Sequence, residues 1–170
     1  MNLSQAELDF LGSHVKIADS VWEWGTGETT KYLASRCRRL VSVEHSPMWA
    51  VSAISSGQGS SSVLYVPQDQ PLIEHTHDGD GDTHRNYVDI YTGYGVDVVL
   101  IDGRARVACA RRVAETAPFG PNPGMVVFLH DCERSEYARI WKDRESEDGP
   151  DGYFKRIAVV ERLMLMEARQ

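Results

Sequence analysis

At 170 residues the chain has the length of about one domain, so we expect residues 1–170 to form a single domain without a separate substrate domain. Hydrophobic residues make up 42% of the sequence, which is enough for a packed core and excludes a disordered chain. The net charge of −7 argues against nonspecific binding to nucleic-acid phosphates. The longest apolar runs are far shorter than the roughly 20 residues of a membrane helix.

Other bulk features favour a cytoplasmic protein. The N-terminal residues 1–13 carry Glu7 and Asp9 and lack the basic start and apolar run of a signal peptide. The 3 cysteines have no CxxC spacing, which indicates reduced thiols rather than disulfides or a zinc site. The net charge and the short apolar runs also lead us to expect no nucleic-acid or membrane partner.

The first half of the chain predicts an alternation of helices and strands. Ser4 and Glu7 have the spacing of a capping box at the start of a first helix. A second helix is expected after Gly27, and Ser46 with Pro47 is typical of the start of a third. The expected strands are residues 19–24, 40–44 and 63–66, and the second helix is expected over 28–38.

The second half continues the pattern with more strongly apolar strands. The predicted elements are a short helix over 86–91, strands over 97–102 and 125–131 with a helix over 105–116 between them, and a final strand pair over 153–160 and 163–167. Unbroken β-branched runs separated by helices are typical of strands buried on both faces. The sequence therefore predicts an α/β fold with a parallel sheet and helices on both of its faces.

In such sheets, ligands bind beyond the carboxyl ends of the strands, where the strand order reverses. The first strand ends at Gly25 and Gly27, which permit a tight turn at the start of a helix. Glu44 ends the second strand 21 residues after Glu23, a spacing at which a carboxylate can accept hydrogen bonds from ribose hydroxyls. Together these features favour a nucleotide-type ligand over a simple tight turn.

The residues around the two glycines favour a cationic nucleotide. Position 30 is Thr30, where the dinucleotide fingerprint has a third glycine. Glu23 and Glu28 flank the glycines, and their carboxylates would repel a pyrophosphate. S-adenosylmethionine, with its sulfonium and ammonium groups, fits these charges better than NAD.

Four motifs in order resemble those of the class I S-adenosylmethionine-dependent methyltransferases, most closely a small subgroup with Glu-Trp-Gly-x-Gly and Asp-Gly-Arg-Ala-Arg motifs. They are VWEWGTGETTKYLA (21–34), VSVEHSP (41–47), DVVLIDGRARVAC (97–109) and FLHD (128–131). The resemblance covers about residues 18–168. It implies a Rossmann-like, mostly parallel seven-stranded sheet with helices on both faces and a C-terminal antiparallel hairpin.

The resemblance also implies roles for individual residues. The methionine end of S-adenosyl-L-methionine would be lined by Glu23, Gly25, Thr26 and Gly27. Glu44 would hold the ribose with His45 beside it, while Asp102 and Gly103 would face the transferring methyl group.

Methyl transfer to a hydroxyl requires a positioned acceptor and help in removing a proton. Asp102 and His130 end adjacent strands, and either is a candidate catalytic base, although a structural role for His130 is an equal alternative. Arg104, Arg106 and Arg134 surround the same rim. They are candidates for clamping an anionic acceptor or, somewhat better, for pairing with nearby acids.

Metal sites are weaker candidates. Asp102 and Asp131 end adjacent strands where related O-methyltransferases bind Mg²⁺, but Cys132 stands where a third acid is expected, so Mg²⁺ is possible but not favoured. Residues 78–89 have calcium-loop spacing, with Thr83 in place of the required glycine. A solvated loop is the better interpretation there, and the prediction is no metal.

Three functions follow from these patterns. The leading one is a methyltransferase for a small-molecule or glycan-type acceptor, most simply at oxygen. The alternatives are a non-catalytic module that binds S-adenosylmethionine or S-adenosylhomocysteine, and a nicotinamide-dependent oxidoreductase on a Rossmann fold. The acceptor and the oligomeric state, including a homo-oligomer, stay open.

Overall fold

The computed structural model describes residues 3–56, 61–70, 81–116, 124–140 and 154–168. The strands are β1 (Ser20–Trp24), β2 (Arg39–Glu44), β3 (Ser61–Tyr65), β4 (Val98–Ile101), β5 (Val126–Leu129), β6 (Phe154–Val160) and β7 (Leu163–Ala168). The helices are α1 (Gln5–His14), α2 (Glu28–Ala34), α3 (Pro47–Ser55), α4 (Arg85–Asp89) and α5 (Arg106–Thr116), with a 3-10 helix over Ser135–Ile140.

The seven strands form one sheet in the order β3-β2-β1-β4-β5-β7-β6. Strands β1 to β5 pair in parallel, and β7 pairs antiparallel with both β5 and β6. This confirms the predicted mostly parallel α/β sheet and its C-terminal hairpin. The chain runs outward from β1 through β2 to β3 and then returns to β4, so the strand order reverses between β1 and β4, where a ligand crevice is expected.

Alternate residues of the central strands face two separate apolar layers, as the period of a strand requires. One layer combines residues such as Trp24, Val43 and Ile101 with α4, α5 and the 3-10 helix. The other combines Val21, Leu100 and their neighbours with α1 and α2. Both faces of the sheet are therefore covered, which explains the unbroken apolar sequence of β4 and β5.

The capping box of α1 is present. Ser4 Oγ accepts a hydrogen bond from the Glu7 N–H at 3.2 Å, and Glu7 Oε2 accepts one from the Ser4 N–H at 2.7 Å. Glu7 is nevertheless fully buried, which is unusual for a capping residue. Its carboxylate has a second set of partners, described below.

Two helix boundaries differ from the predictions. Helix α2 ends at Ala34 rather than at residue 38, because the Arg38 N–H donates to the Asp19 carbonyl and draws the chain toward β2. Helix α5 begins at Arg106, because Ala105 has a φ of 51° and cannot continue a right-handed helix. The 3-10 helix was not predicted.

No helix within the described ranges is long and apolar enough to cross a membrane. The three cysteines, Cys37, Cys109 and Cys132, are buried, and none of them forms a disulfide with another described residue. Residues 78–80 of the proposed calcium loop, and the nearby His75 and His77, lie outside the described residues.

Candidate functional site

A cleft of about 270 Å³ lies at the carboxyl ends of β1, β2 and β4, where the strand order reverses. This volume is close to the lower end of the range for small-molecule sites, roughly 300–1,000 Å³. All eight residues predicted to bind the ligand line it: Glu23, Gly25, Thr26, Gly27, Glu44, His45, Asp102 and Gly103. The parallel pairing of the strands brings these distant segments together.

The floor of the cleft is backbone from the ends of β1 and β4. Gly25 has a φ of 95°, and a Cβ there would lie 3.0 Å from the Gly103 N and Cα atoms. A Cβ on Gly103 would likewise lie 2.9 Å from the Gly25 nitrogen and would overlap the Tyr87 hydroxyl. Both positions therefore need glycine, because the two turns touch through their main chains.

Glu23 lies beneath this floor, with an exposed fraction of 1%. Ser42 Oγ donates to Glu23 Oε2 at 2.6 Å, and Thr30 Oγ1 donates to the same oxygen at 2.8 Å. Burial raises the pKa of Glu23 to about 8; the two hydroxyls oppose this shift and the nearby acids Asp102 and Glu44 add to it. The carboxyl group is therefore mostly protonated at neutral pH.

Thr30, at the position of the missing third glycine, also organises the turn. Its Oγ1 accepts a hydrogen bond from the Gly27 N–H at 3.0 Å while it donates to Glu23. The Gly27 amide is thus engaged within the protein and is not available to a phosphate group.

Glu44 is ionised and accepts hydrogen bonds from three donor groups. Its Oε2 accepts from the Thr26 N–H at 2.8 Å and from Thr26 Oγ1 at 2.9 Å, and its Oε1 accepts from the Ser46 N–H at 2.8 Å. His45 Nδ1 lies 2.9 Å from Oε1. Burial works to raise the pKa of Glu44, but His45 and these donors hold it below the usual value.

The two predicted catalytic candidates differ in access. His130 Nδ1 lies 2.7 Å from Asp102 Oδ1, so the structure brings the two groups together. Asp102 lines the cleft and its side chain is 19% exposed, whereas the His130 side chain is fully buried and is not part of the lining. The geometry favours Asp102 as the group that meets a ligand and a structural or positioning role for His130.

Arg106 lies between the two acids that follow β4 and β5, Asp102 and Asp131. Its Nη1 lies 3.2 Å from Asp131 Oδ2 and its Nη2 lies 3.5 Å from Asp102 Oδ1. A guanidinium between the two carboxylates disfavours Mg²⁺ there. Within the described ranges, no group of three or more His, Cys, Asp or Glu side chains could hold a metal ion.

The rim arginines mostly pair with acids. Arg134 Nη2 lies 2.9 Å from Asp131 Oδ2, and burial, which raises the pKa of Asp131, is outweighed by Arg106, His130, Arg134 and Arg162, which lower it. Arg104 lines the cleft and makes no ion pair with another described residue. Of the three predicted anion-clamping residues, Arg104 is thus the one with its charge uncompensated.

Several functional-site residues were not predicted from the sequence. Ser42 is two positions before Glu44 on β2, so the strand period could have placed it on the same face. Trp49, which lines the cleft from α3, and Glu7, which reaches the far side of His130, carry no local signal because tertiary docking positions them.

No protein-family model matches the sequence, and no curated protein matches it. Solved structures do match. A methyltransferase-like protein from Silicibacter pomeroyi DSS-3 is 21% identical, with a TM-score of 0.63 over 99% of this chain and 87% of that one. A proposed methyltransferase from Streptococcus mutans, in complex with S-adenosylhomocysteine, is 7% identical, with a TM-score of 0.61 over 99% of this chain and 100% of that one.

A third structure is fibrillarin from Aeropyrum pernix with natively bound S-adenosyl-L-methionine. It is 18% identical, with a TM-score of 0.56 over 94% of this chain and 73% of that one. At these identities the likeness concerns the fold, and the subgroup resemblance of the sequence motifs stays a prediction. The chain has the Rossmann-like fold of these methyltransferases.

Proposed function

We propose that the chain is an S-adenosyl-L-methionine-dependent methyltransferase. The observation that carries the proposal is the convergence of three acids, Glu23, Glu44 and Asp102, on one cleft at the strand-order reversal. A site lined by acids, in which the Thr26 and Gly27 N–H groups are already bonded within the protein, suits a ligand with sulfonium and ammonium charges and ribose hydroxyls.

In this proposal, S-adenosyl-L-methionine would be held above the turns after β1 and β4. Gly25, Thr26 and Gly27 would line its methionine end, above the buried Glu23 carboxyl group. Glu44 would accept hydrogen bonds from the ribose hydroxyls with His45 beside it, and Asp102 and Gly103 would face the methyl group. When bound, S-adenosyl-L-methionine supplies the electrophilic methyl carbon, and the chain's own residues orient the acceptor and receive its proton.

The proposed acceptor is a small molecule or a glycan, methylated at oxygen. The uncompensated Arg104 at the rim favours an acceptor with a carboxylate or phosphate group, because an arginine near such a group forms charge-assisted hydrogen bonds. Asp102 is the accessible base for a hydroxyl proton, which makes it the proposed catalytic residue.

Two alternatives predict different binding. A nicotinamide-dependent oxidoreductase would bind NAD, which is disfavoured because the Gly27 N–H is bonded to Thr30 Oγ1 and is not available to a pyrophosphate. A non-catalytic module would bind S-adenosylmethionine or S-adenosylhomocysteine without turnover. No observation in the structure favours this second alternative over catalysis.

Calorimetry with S-adenosylmethionine, S-adenosylhomocysteine and NAD tests the proposal. We expect binding of the first two and none of NAD, and NAD binding alone would replace the proposal with an oxidoreductase. A screen for labelled methyl transfer to hydroxylated carboxylates, sugar phosphates and neutral sugars then separates catalysis from binding. In this screen Asp102→Asn is expected to lower turnover at least tenfold.

A further inference from the structure

His130 lies between two carboxylates that come from opposite parts of the chain. Its Nδ1 is 2.7 Å from Asp102 Oδ1, at the end of β4, and its Nε2 is 3.7 Å from Glu7 Oε2, in the first turn of α1. The ring is fully buried, and Nε2 has no hydrogen-bond partner among the described residues. The imidazole is therefore fixed by its bond to Asp102 on one side and by the packing of α1 on the other.

The surrounding charges indicate which ring nitrogen carries the proton. Asp102 Oδ1 at 2.7 Å and Asp131 Oδ1 at 3.6 Å both lie near Nδ1. Two carboxylate oxygens on one side favour an N–H at Nδ1, which then donates to the nearer of them.

Two backbone N–H groups hold the Glu7 carboxylate in place behind the His130 ring. Its Oε1 accepts from the Arg162 N–H at 2.8 Å, and its Oε2 accepts from the Ser4 N–H at 2.7 Å. Burial works to raise the pKa of Glu7, but these backbone donors and the neighbouring His130 and Arg162 hold it below the usual value. The carboxylate behind the ring is thus ionised, and a backbone N–H bonds each of its oxygens.

Asp102 borders the cleft, whereas His130 and Glu7 are not part of its lining. Its Oδ1 carries the His130 bond and lies 3.5 Å from Arg106 Nη2, while no described residue donates to its Oδ2. One oxygen is anchored in the protein, and the other is open to a bound molecule.

We propose that His130 is a positioning residue. Its Nδ1–H fixes the Asp102 carboxylate so that Oδ2 accepts a hydrogen bond from a donor group of the bound ligand, and Glu7 supports the ring from behind. This inference rests on the proposed function for the identity of the ligand. The hydrogen bond itself is a property of the free protein and is testable without a ligand.

The first test is NMR of the full chain labelled with ¹⁵N in histidine, with His130→Asn used to assign the signal. We expect a slowly exchanging Nδ1–H proton shifted downfield by the carboxylate, and an upfield shift or loss of this signal in Asp102→Ala. A proton on Nε2 with a bare Nδ1 would overturn the proposal, whether or not the protein binds S-adenosylmethionine.

The second test is calorimetry with S-adenosylhomocysteine. His130→Leu, which removes the donor, is expected to weaken binding about tenfold. His130→Asn, whose amide can replace the Nδ1 donor, is expected to stay within about threefold of the unmodified protein. Val127→Ala is the control for lost stability. Val127 is buried on β5 and faces the apolar layer that contains α4 and α5, on the opposite face of the sheet from α1.

A double-mutant cycle separates positioning from a merely structural role. If His130 acts through Asp102, then His130→Leu costs no further affinity in an Asp102→Asn background, whereas independent effects would add. Unmodified protein that binds neither S-adenosylmethionine nor S-adenosylhomocysteine would overturn the proposed function. If the unmodified protein binds these ligands and His130→Leu binds them with the same affinity, the positioning role alone would be overturned.

Discussion

Glu23 and Glu44 show how two buried acids on one sheet face acquire opposite ionisation. Glu44 receives backbone N–H donors from Thr26 and Ser46, which satisfy a charged carboxylate. Glu23 receives only hydroxyls, from Ser42 and Thr30, in a fully enclosed position. The acid with aligned backbone donors is ionised, and the other keeps its proton near neutral pH.

This difference predicts a specific dependence of stability on pH. The pKa of Glu23 is about 8 in the folded protein, against an ordinary value of 4.5, so the folded state binds the proton more tightly than the unfolded state does. The stabilising contribution of Glu23 to the free energy of unfolding is therefore complete below about pH 4.5 and is lost as the pH rises to about 8. Compared with Glu23→Gln, the unmodified protein should lose about 1 kcal/mol of unfolding free energy per pH unit in this window.

Urea unfolding at pH 5, 6.5 and 8 measures the effect. Glu28→Gln, at an exposed acid in the same turn, is the control and should show no such trend. Parallel stability curves for Glu23→Gln and the unmodified protein would mean that Glu23 is ionised throughout.

Thr26 competes with the proposed ribose for Glu44. A carboxylate has about four acceptor positions, and the protein's own donors occupy or approach all of them. The Thr26 hydroxyl is the donor that can rotate away without moving the backbone. Thr26→Val should therefore tighten S-adenosylhomocysteine binding by a few-fold, because about 1 kcal/mol is no longer needed to break that bond.

Calorimetry of Thr26→Val against Thr29→Val, a change in the same cleft without a contact to Glu44, measures this prediction. Weaker binding by Thr26→Val would show that the hydroxyl contacts the ligand instead of competing with it.

At the scale of elements, the close contact between the turns after β1 and β4 sets the shape of the cleft. Gly103→Ala should destabilise the protein by about 2 kcal/mol, because the new methyl group meets backbone atoms of Trp24 and Gly25 at 2.9–3.0 Å. Adding Tyr87→Phe removes the overlapping hydroxyl but not the backbone contacts, so it should restore only part of the loss.

Thermal and urea unfolding provide the measurement, with Gly81→Ala as the control, since the one atom of the described residues that a Cβ there would meet is Ala108 Cβ, at an ordinary 3.4 Å. Full recovery in the double variant would mean that the tyrosine hydroxyl, and not the contact between the turns, requires glycine at this position.

Element types were predictable where the signal is local. The capping box at Ser4 and the apolar runs of β4 and β5 depend on residues within one turn or strand, and all three elements form. The end of α2 depends instead on the Arg38 bond to Asp19, and the start of α5 on the left-handed conformation of Ala105. Such boundaries are set by contacts and turns that periodicity does not encode.

At the scale of the whole molecule, helix α1 and the turn between β6 and β7 meet at one ion-pair cluster. Glu7 of α1 accepts from the backbone of Arg162, in the turn between β6 and β7, and Arg162 Nη1 lies 3.3 Å from Asp131 Oδ1. The eight cleft residues were predictable because parallel strands align their carboxyl ends. The burial of His130 was not, because it depends on this docking of α1 and the hairpin.

Arg162→Met should therefore destabilise the fold by roughly 2 kcal/mol, because it leaves the buried Glu7 and Asp131 carboxylates with less compensating charge. Arg156→Met, at an exposed arginine of β6, is the matched control and should change the unfolding free energy by less than about 0.5 kcal/mol. Urea unfolding of both variants at pH 7 tests this prediction. Equal unfolding free energies for the two variants would mean that the ion-pair cluster makes no net contribution to stability.

The main-chain floor formed by Gly25 and Gly103 limits how the recognition properties of this cleft can change. Groups presented by the backbone keep their chemistry whichever side chains surround them. Substitutions therefore alter the side chains around the cleft and leave its main-chain floor unchanged. New ligand preferences would then arise at peripheral positions such as Arg104 and Trp49, which can vary without disturbing the strand ends. Redesign for a different ligand is best begun there.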